Sequence, residues 1–288
     1  MKATQTSRTA QYMALFRALE TRRPPKGRLF SDPYAHIFLD NGLKTAVWLS
    51  KIPGIRKVEE SIIRSKIPGA LSSGIARTKY IDDLLETTVG NGIQQVIILG
   101  AGFDTRALRL SFLASVPVIE IDHPNTSRFK LLKLRRSQPA ANISYHQIDF
   151  NYQSLDELGE QQHFDYTLPT TVIWEGVTNY LTAEAIDKTF SFLQLFASGS
   201  YVIFTYINRQ ILTDPSSYFG GEKLLEDVSG LEEKWTFGFW PDELPDYLQR
   251  YRFTLLEDMG ADDYRRKYMP ERNEPGYEFY RVAFAEKK

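Results

Sequence analysis

The 288-residue chain contains no cysteine. That excludes disulfides, thiolate nucleophiles, iron–sulfur clusters and cysteine-ligated zinc together, and it leaves the compartment open. Histidine is scarce as well. His36, His123, His146 and His163 are the only four, and none of them forms an H-x-x-x-H pair. No clustered D-x-D set occurs, so no catalytic metal is expected. Asp82-Asp83 and Asp262-Asp263 read as solvated helix residues. An excess of either charge is also missing. Lys plus Arg total 35 and Asp plus Glu 36, a formal net charge of −1, so nothing steers the whole chain toward nucleic acid or an anionic membrane. No run approaches the ~18 apolar residues of a membrane span. The first twenty residues lack the continuous apolar stretch of a secretory signal. The expectation is a cytoplasmic protein with a small-molecule partner, no nucleic-acid or membrane partner, and an open oligomeric state.

What is present is globular material. Hydrophobic residues make up 42% of the chain and charged residues 25%, which argues against disorder. The length allows one large domain or two small ones. Residues 1–90 read as helices broken by Arg22-Arg23-Pro24-Pro25-Lys26-Gly27, Ile52-Pro53-Gly54 and Ile67-Pro68-Gly69, because proline disfavours helix before it and glycine permits a turn. Tyr12, Leu15, Phe16 and Leu19 have the spacing of an amphipathic helix. Asp32-Pro33 reads as an N-cap followed by proline, and Ile75–Leu85 reads as another helix, with Ile81, Leu84 and Leu85 on one face.

From residue 94 the pattern changes to short apolar runs alternating with helices. Val96–Leu99, Val116–Ile121, Ile143–Ile148, Thr171–Trp174 and Tyr201–Tyr206 read as strands. Thr105–Leu113, Asn125–Arg136 and Ala183–Phe196 read as the helices between them. Such alternation implies a parallel sheet covered on both faces. Residues 207–245 are rich in Gly, Pro, Asp and aromatics and read as an insertion. Thr254–Glu257 and Tyr277–Phe284 read as the last two strands. The chain thus divides into an N-terminal helical cover, 1–90, and an α/β core, 91–288, packed as one structural domain.

The chemistry concentrates at the ends of these strands. The first runs straight into Gly100-Ala101-Gly102-Phe103-Asp104-Thr105-Arg106. Glycines there let the backbone turn sharply and approach a ligand. Asp122 ends the next apolar run, where an acid can accept both hydroxyls of a ribose. A dinucleotide fingerprint would place a third glycine at Thr105, and Asp104 would repel a pyrophosphate at the helix start. A ligand with ribose, adenine and a sulfonium but no phosphate tolerates that acid, which points to S-adenosylmethionine. Asp149 and Phe150 follow the third strand. They suit an adenine amino group and ring, or a simple strand-ending turn. Glu175 follows the fourth strand, on the side where ligands sit in such sheets. His123 reads as rim packing beside the ribose more than as a base. His146 reads as structural, and His36 as a helical residue able to reach the site if the cover closes. Lys130, Lys133, Arg135 and Arg136 read as a solvated helix face in a chain that is not basic.

The ordered set ILGAGFDTRALRL, EIDHP, DF and WEGVTNYLT resembles the leucine carboxyl methyltransferase family, over roughly residues 30 to 182. That resemblance implies a class I, Rossmann-like methyltransferase fold: a seven-stranded, mostly parallel sheet with one reversed strand near its edge, and an N-terminal helical cover. It implies S-adenosylmethionine as cofactor and S-adenosylhomocysteine as product. Arg77 would then grip the cofactor's methionine carboxylate, and Gly100, Ala101 and Gly102 would form the backbone cradle. Asp122 would take the ribose, with His123 on its rim, and Asp149 and Phe150 the adenine. Glu175 would stand at the methionine end, with Tyr180 on the acceptor side as a second candidate catalytic residue. Asp32-Pro33-Tyr34 matches an early motif folding over the site. The acceptor does not carry over. It is read as a small, polyketide-like molecule methylated on a carboxylate or hydroxyl oxygen, with a protein C-terminus as alternative. A nicotinamide-dependent oxidoreductase and a non-catalytic nucleotide-binding module are the readings from other classes.

Overall fold

The computed structural model describes residues 8–135, 142–149, 153, 155–160, 164–229, 234–272 and 274–288. The N-terminal region supplies α1 (Arg8–Thr21), α2 (Asn41–Leu49), α3 (Pro53–Lys66) and α4 (Ala70–Gly90). The core follows with β1 (Gln95–Leu99), α5 (Arg106–Arg109), β2 (Val118–Asp122), α6 (Pro124–Leu134), β3 (Ile143–Gln147), α7 (Leu155–Glu160), β4 (Thr170–Trp174), α8 (Ala183–Leu193) and β5 (Tyr201–Ile207). After β5 come α9 (Gln210–Thr213), α10 (Gly221–Ser229), α11 (Leu244–Gln249), β6 (Phe253–Gly260), α12 (Ala261–Tyr268) and β7 (Tyr280–Lys287).

The strands form one sheet in the order β3-β2-β1-β4-β5-β7-β6. The first five run parallel, and β7 lies antiparallel between β5 and β6. The order reverses between β1 and β4, which makes the carboxyl ends of those strands the place for a ligand. Side-chain alternation then splits the core into two layers. Val96 and Ile98 of β1 join a cluster with Leu15 and Phe16 of α1, Tyr80 and Ile81 of α4, and Tyr264 of α12. Ile97 and Leu99 face a second cluster with Phe190 and Leu193 of α8 and Leu244 and Leu248 of α11. The N-terminal helices therefore share one apolar core with the sheet.

Four sequence readings need correction. The helix expected over Thr105–Leu113 is one turn, α5, because Leu110 goes extended at φ −94°, ψ 109°. A single 3-10 turn, Ser111–Leu113, follows it. The strand expected from Tyr277 begins at Tyr280, because Gly276 and Tyr277 hold φ of 108° and 65° and break the extended run. Asp82 is not a solvated helix residue: it is buried in α4, which contains the helix expected over Ile75–Leu85, and pairs with Arg106 and Arg109. Lys130 is buried against Glu120 and does not belong to a solvated face. The Asp32 cap is present. Its Oδ1 accepts the N–H groups of Tyr34 and Ala35, both at 3.0 Å, at the start of a 3-10 turn.

The start of α4 depends on backbone contact. Gly69 has φ +76°, and a Cβ there would stand 2.2 Å from the carbonyl oxygen of Gly276. Gly69→Ala is expected to destabilise the protein by at least about 2 kcal/mol through strain and collision. Gly90→Ala, at the open end of the same helix with nothing within 4 Å, is expected to raise stability by up to about 1 kcal/mol. Urea unfolding of the two variants beside the parent checks the contrast; equal effects would place the packing elsewhere.

Candidate active site

At the carboxyl end of β1 the chain turns through Gly100 and Gly102, at φ +63° and +50°. A Cβ on Gly100 would lie 2.3 Å from Cγ2 of Val177, so glycine here lets two loops at the switch point touch. The N–H of Ala101 donates to the carbonyl of Ile121 at 3.1 Å. The N–H of Gly102 donates to Asp122 Oδ2, and the N–H of His123 to Oδ1 at 2.6 Å. Asp122 thus ties β2 to the glycine turn, and each oxygen keeps a second lone pair for a hydroxyl donor. Burial raises its pKa, and the two backbone bonds oppose that rise.

His123 caps α6, accepting the N–H of Asn125 at Nδ1 (3.2 Å), while Nε2 lies 3.3 Å from Asp149 Oδ2. An imidazole accepting at Nδ1 carries its proton on Nε2. Its one lone pair is engaged by Asn125, and Nε2 lies within ion-pair distance of Asp149. Asp149 stands just past β3, partly exposed. Phe150 and His163 lie outside the described residues. His36 is exposed and His146 sits half-buried in β3. Among the described residues, no group of three or more His, Asp or Glu could hold a metal ion. No described helix is long and apolar enough to cross a membrane.

The strongest electrostatic feature is Glu175, one residue past β4. Its Oε1 accepts Arg77 Nε at 2.9 Å and its Oε2 accepts Arg106 Nη1 at 2.8 Å. Arg106 also donates to Asp104 Oδ2 and, through Nε, to Asp82 Oδ1 at 2.8 Å. Arg109 grips Asp82 with both terminal nitrogens, at 2.7 and 2.8 Å. Burial would raise the Glu175 pKa, but the two guanidiniums outweigh it and hold the group below the ordinary glutamate value. Asp104 is turned toward Arg106, and its pKa falls to about 2. With Asp122 and Asp149 nearby, the strand ends gather five carboxylates against the three arginines. That surplus of negative charge favours a cationic ligand.

Arg77 uses little of its fork on oxygen. Its Nη2 points at the thioether of Met13 at 3.3 Å, and Tyr280 lies beneath it with Cζ 4.5 Å from the ring centroid. Thioether sulfur is a weak acceptor, so the guanidinium retains donors for a carboxylate. Helix α1 lies over this end of the site. Ala10 faces Gly102, and the Thr9 and Tyr180 hydroxyls are 3.4 Å apart. Arg17 binds Asp32 Oδ2 at 2.8 Å and the carbonyl of Phe103 at 2.5 Å, and the Thr105 hydroxyl donates to that same Oδ2 at 2.6 Å.

The expected residues Arg77, Gly100, Ala101, Gly102, Asp122, His123, Asp149 and Glu175 line the carboxyl ends of β1 to β4 and the facing side of α4. Tyr180 stands at their edge, under α1. Sequence reasoning missed the roles of Arg106 and Asp82, although Thr105-Arg106 directly follows the glycine turn. It also missed Met13, Tyr277 and Tyr280, which lie far in sequence from the strand ends and gave no local signal.

The Asp104–Arg106 pair has a pH signature. A depressed carboxyl pKa contributes stability that is complete above its unfolded value, 3.8, and is lost as pH falls toward about 2. The contribution at neutral pH is about 2 kcal/mol. Asp104→Asn is expected to lower the urea midpoint at pH 7 and to differ little from the parent near pH 2. A difference independent of pH would show that the pair is not ionised as described.

Comparison with known proteins follows this geometry. The sequence pattern of the leucine carboxyl methyltransferase family matches residues 10–194. A relative from Streptomyces coelicolor, named as a candidate S-adenosyl-L-methionine-dependent methyltransferase, is 32% identical over 207 residues, 71% of this chain and 70% of the relative. One of the same name from Mycobacterium marinum is 32% identical over 220 residues, 73% and 67% of the two chains. A solved structure of a candidate methyltransferase from Thermobifida fusca superposes with TM-score 0.60 at 18% identity, covering 94% of this chain and 97% of that one. A DUF574 family protein from Streptomyces avermitilis gives 0.62 at 12% identity, covering 99% of each. At such identities the structures speak for the fold alone. On the sequence match the chain belongs to the leucine carboxyl methyltransferase family and is an S-adenosylmethionine-dependent methyltransferase.

Proposed function

We propose that this enzyme methylates a carboxylate oxygen of a small acceptor, releasing S-adenosylhomocysteine. The observation that carries the reading is that the described site holds carboxylate and phenol groups but none set to take a proton. Glu175 is kept ionised between Arg77 and Arg106. The lone pair of His123 at Nδ1 is engaged by the N–H of Asn125. Burial holds the Tyr277 phenol above the usual tyrosine value. An acceptor carboxylic acid, with pKa near 4, arrives already ionised and needs no base. A phenol or alcohol would need one.

When bound, S-adenosylmethionine supplies an electrophilic methyl carbon on a sulfonium. Arg77 would hold its carboxylate as a guanidinium fork, Asp122 its ribose hydroxyls and Asp149 its adenine amino group. Glu175 fixes Arg77 and Arg106, which makes it a positioning residue. The rest of the work is alignment of the acceptor oxygen with the methyl carbon, at about 3–3.5 Å. The oxygen–carbon bond forms as the carbon–sulfur bond breaks, the electron pair stays on sulfur, and no proton moves. Nicotinamide chemistry fits less well. The one-turn α5 offers no sustained helix terminus to a pyrophosphate, and Asp104 occupies its start. A protein C-terminus would present the same carboxylate, but the aromatic approach beyond Tyr280 favours a compact apolar acceptor over a peptide.

Asp122→Ala is expected to cut S-adenosylhomocysteine affinity at least 100-fold, about 2.7 kcal/mol, while the protein stays folded. Arg77→Ala is expected to weaken it by about 3 kcal/mol, since the ligand carboxylate loses its guanidinium partner. Calorimetry reads both, and unchanged affinity in either variant removes that residue from the site. Transfer of labelled methyl should give a base-labile ester that releases methanol. A base-stable product would contradict carboxyl methylation.

A further inference from the structure

The reversed strand brings its first residue to the ligand end of the sheet. Because β7 runs antiparallel to β5, Tyr280 at its start pairs with Ile207 at the end of β5. Tyr280 is buried, and its ring lies under Arg77 with Cζ 4.5 Å from the centroid. The donors of a guanidinium lie in its own plane, whereas an aromatic ring attracts it through the face. Tyr280 therefore holds Arg77 without occupying a donor. Glu175 takes Nε from the side, at 2.9 Å.

The hydroxyl of the same ring closes a loop of contacts. It lies 3.3 Å from Oγ1 of Thr205 in β5, and that Oγ1 accepts the N–H of Gly176 at 2.7 Å. Gly176 directly follows Glu175, the carboxylate that grips Arg77. It turns at φ +74°, and a Cβ there would stand 3.9 Å from the Tyr280 hydroxyl, so the turn lies against the ring. The carbonyl of Thr205 accepts the Thr178 hydroxyl at 2.7 Å, which fixes the segment after the turn. Contacts thus run from Arg77 through Glu175, Gly176 and Thr205 to Tyr280 and back to Arg77. The helix that carries Arg77 is tied to the same strand. Ser73, one turn before Arg77 in α4, shares a hydrogen bond of 2.9 Å with the Tyr264 hydroxyl, which reaches the Tyr280 carbonyl at 3.5 Å. The guanidinium and its carboxylate partner are both referred to one side chain.

Resting on the reading of Arg77 as the grip on the cofactor's carboxylate, we propose that Tyr280 is a positioning residue for cofactor binding. Its ring supports the Arg77 guanidinium. Its hydroxyl, through Thr205 and the Gly176 N–H, holds the Glu175 turn to the same ring. Tyr280 acts through Arg77 and not on the ligand. A flexible arginine pinned before the ligand arrives loses less freedom on binding. Loss of Tyr280 is therefore read in the affinity for one ligand group, the carboxylate, and not in the affinity for adenosine.

Calorimetry with S-adenosylhomocysteine and with its decarboxylated analogue, which lacks only that group, gives the carboxylate preference as a ratio of affinities. Tyr280→Leu is expected to lower the ratio about tenfold, with affinity for the decarboxylated analogue unchanged. Tyr280→Phe, which restores the ring, is expected to bring the ratio back to within about threefold of the parent. Thr205→Val, which breaks the bridge and leaves the ring in place, is expected to lower it about threefold. The parent's ratio in Tyr280→Leu, with both ligands weakened equally or neither weakened, would overturn the proposal. Should Tyr280→Leu fail to fold, the parent's ratio in Thr205→Val would overturn it. Arg77→Ala is the reference and should abolish the preference. The parent's ratio in Arg77→Ala would instead overturn the reading of Arg77 on which the proposal rests.

Discussion

One carboxylate shared by two guanidiniums holds this molecule's working parts in register. Glu175 comes from the end of β4, Arg77 from the middle of α4 and Arg106 from the single turn α5. Arg106 then reaches Asp104 and Asp82, so the glycine turn and the long N-terminal helix are fixed to the same point. Taking these charges out of water is costly, and the cost is offset only because every partner is present and well placed. Removing one would leave an uncompensated buried charge, on the order of 3–5 kcal/mol. The clamp therefore acts as an all-or-none junction between the helical cover and the sheet.

Function follows from what that junction leaves over. Arg77 spends one bond on Glu175, and its Nη2 meets the Met13 thioether, with the Tyr280 ring beneath the guanidinium. Asp122, fixed by two backbone N–H groups, has lone pairs to spare. Asp104, which looks from the sequence like an acid facing the ligand, is turned inward to Arg106. It acts on the ligand through net charge and by occupying the start of α5 where a phosphate would sit. The same clamp keeps Glu175 ionised between its two arginines.

The parallel half of the fold was legible in the sequence because buried strands announce themselves. Val96–Leu99 and Thr171–Trp174 are short apolar runs, and each fell within a residue of the observed strand. The glycine turn and Asp122 were legible for the same reason: the strand fixes where its end must be. The rest depended on contacts between distant segments. Tyr277 looks like strand, with alternation running from it to Phe284, and the backbone packing of Gly276 on Pro68 and Gly69 forces it out of the sheet. The stretch after Thr105 looks like a full helix, and it stops after one turn, where Arg106 and Arg109 both close on Asp82. Lys130 looks like surface charge, and a strand glutamate, Glu120, draws it into the core. Local pattern specified the elements, whereas long-range ion pairs specified which side chains meet.

The most direct measurement is a crystal structure of the protein with S-adenosylhomocysteine. The account predicts the ribose hydroxyls on Asp122, the amino-acid carboxylate on the Arg77 fork in place of the Met13 thioether, and the Glu175 clamp intact beneath them. Density for the compound away from the β1–β4 strand ends, or a bound state in which Glu175 has left both arginines, would contradict it.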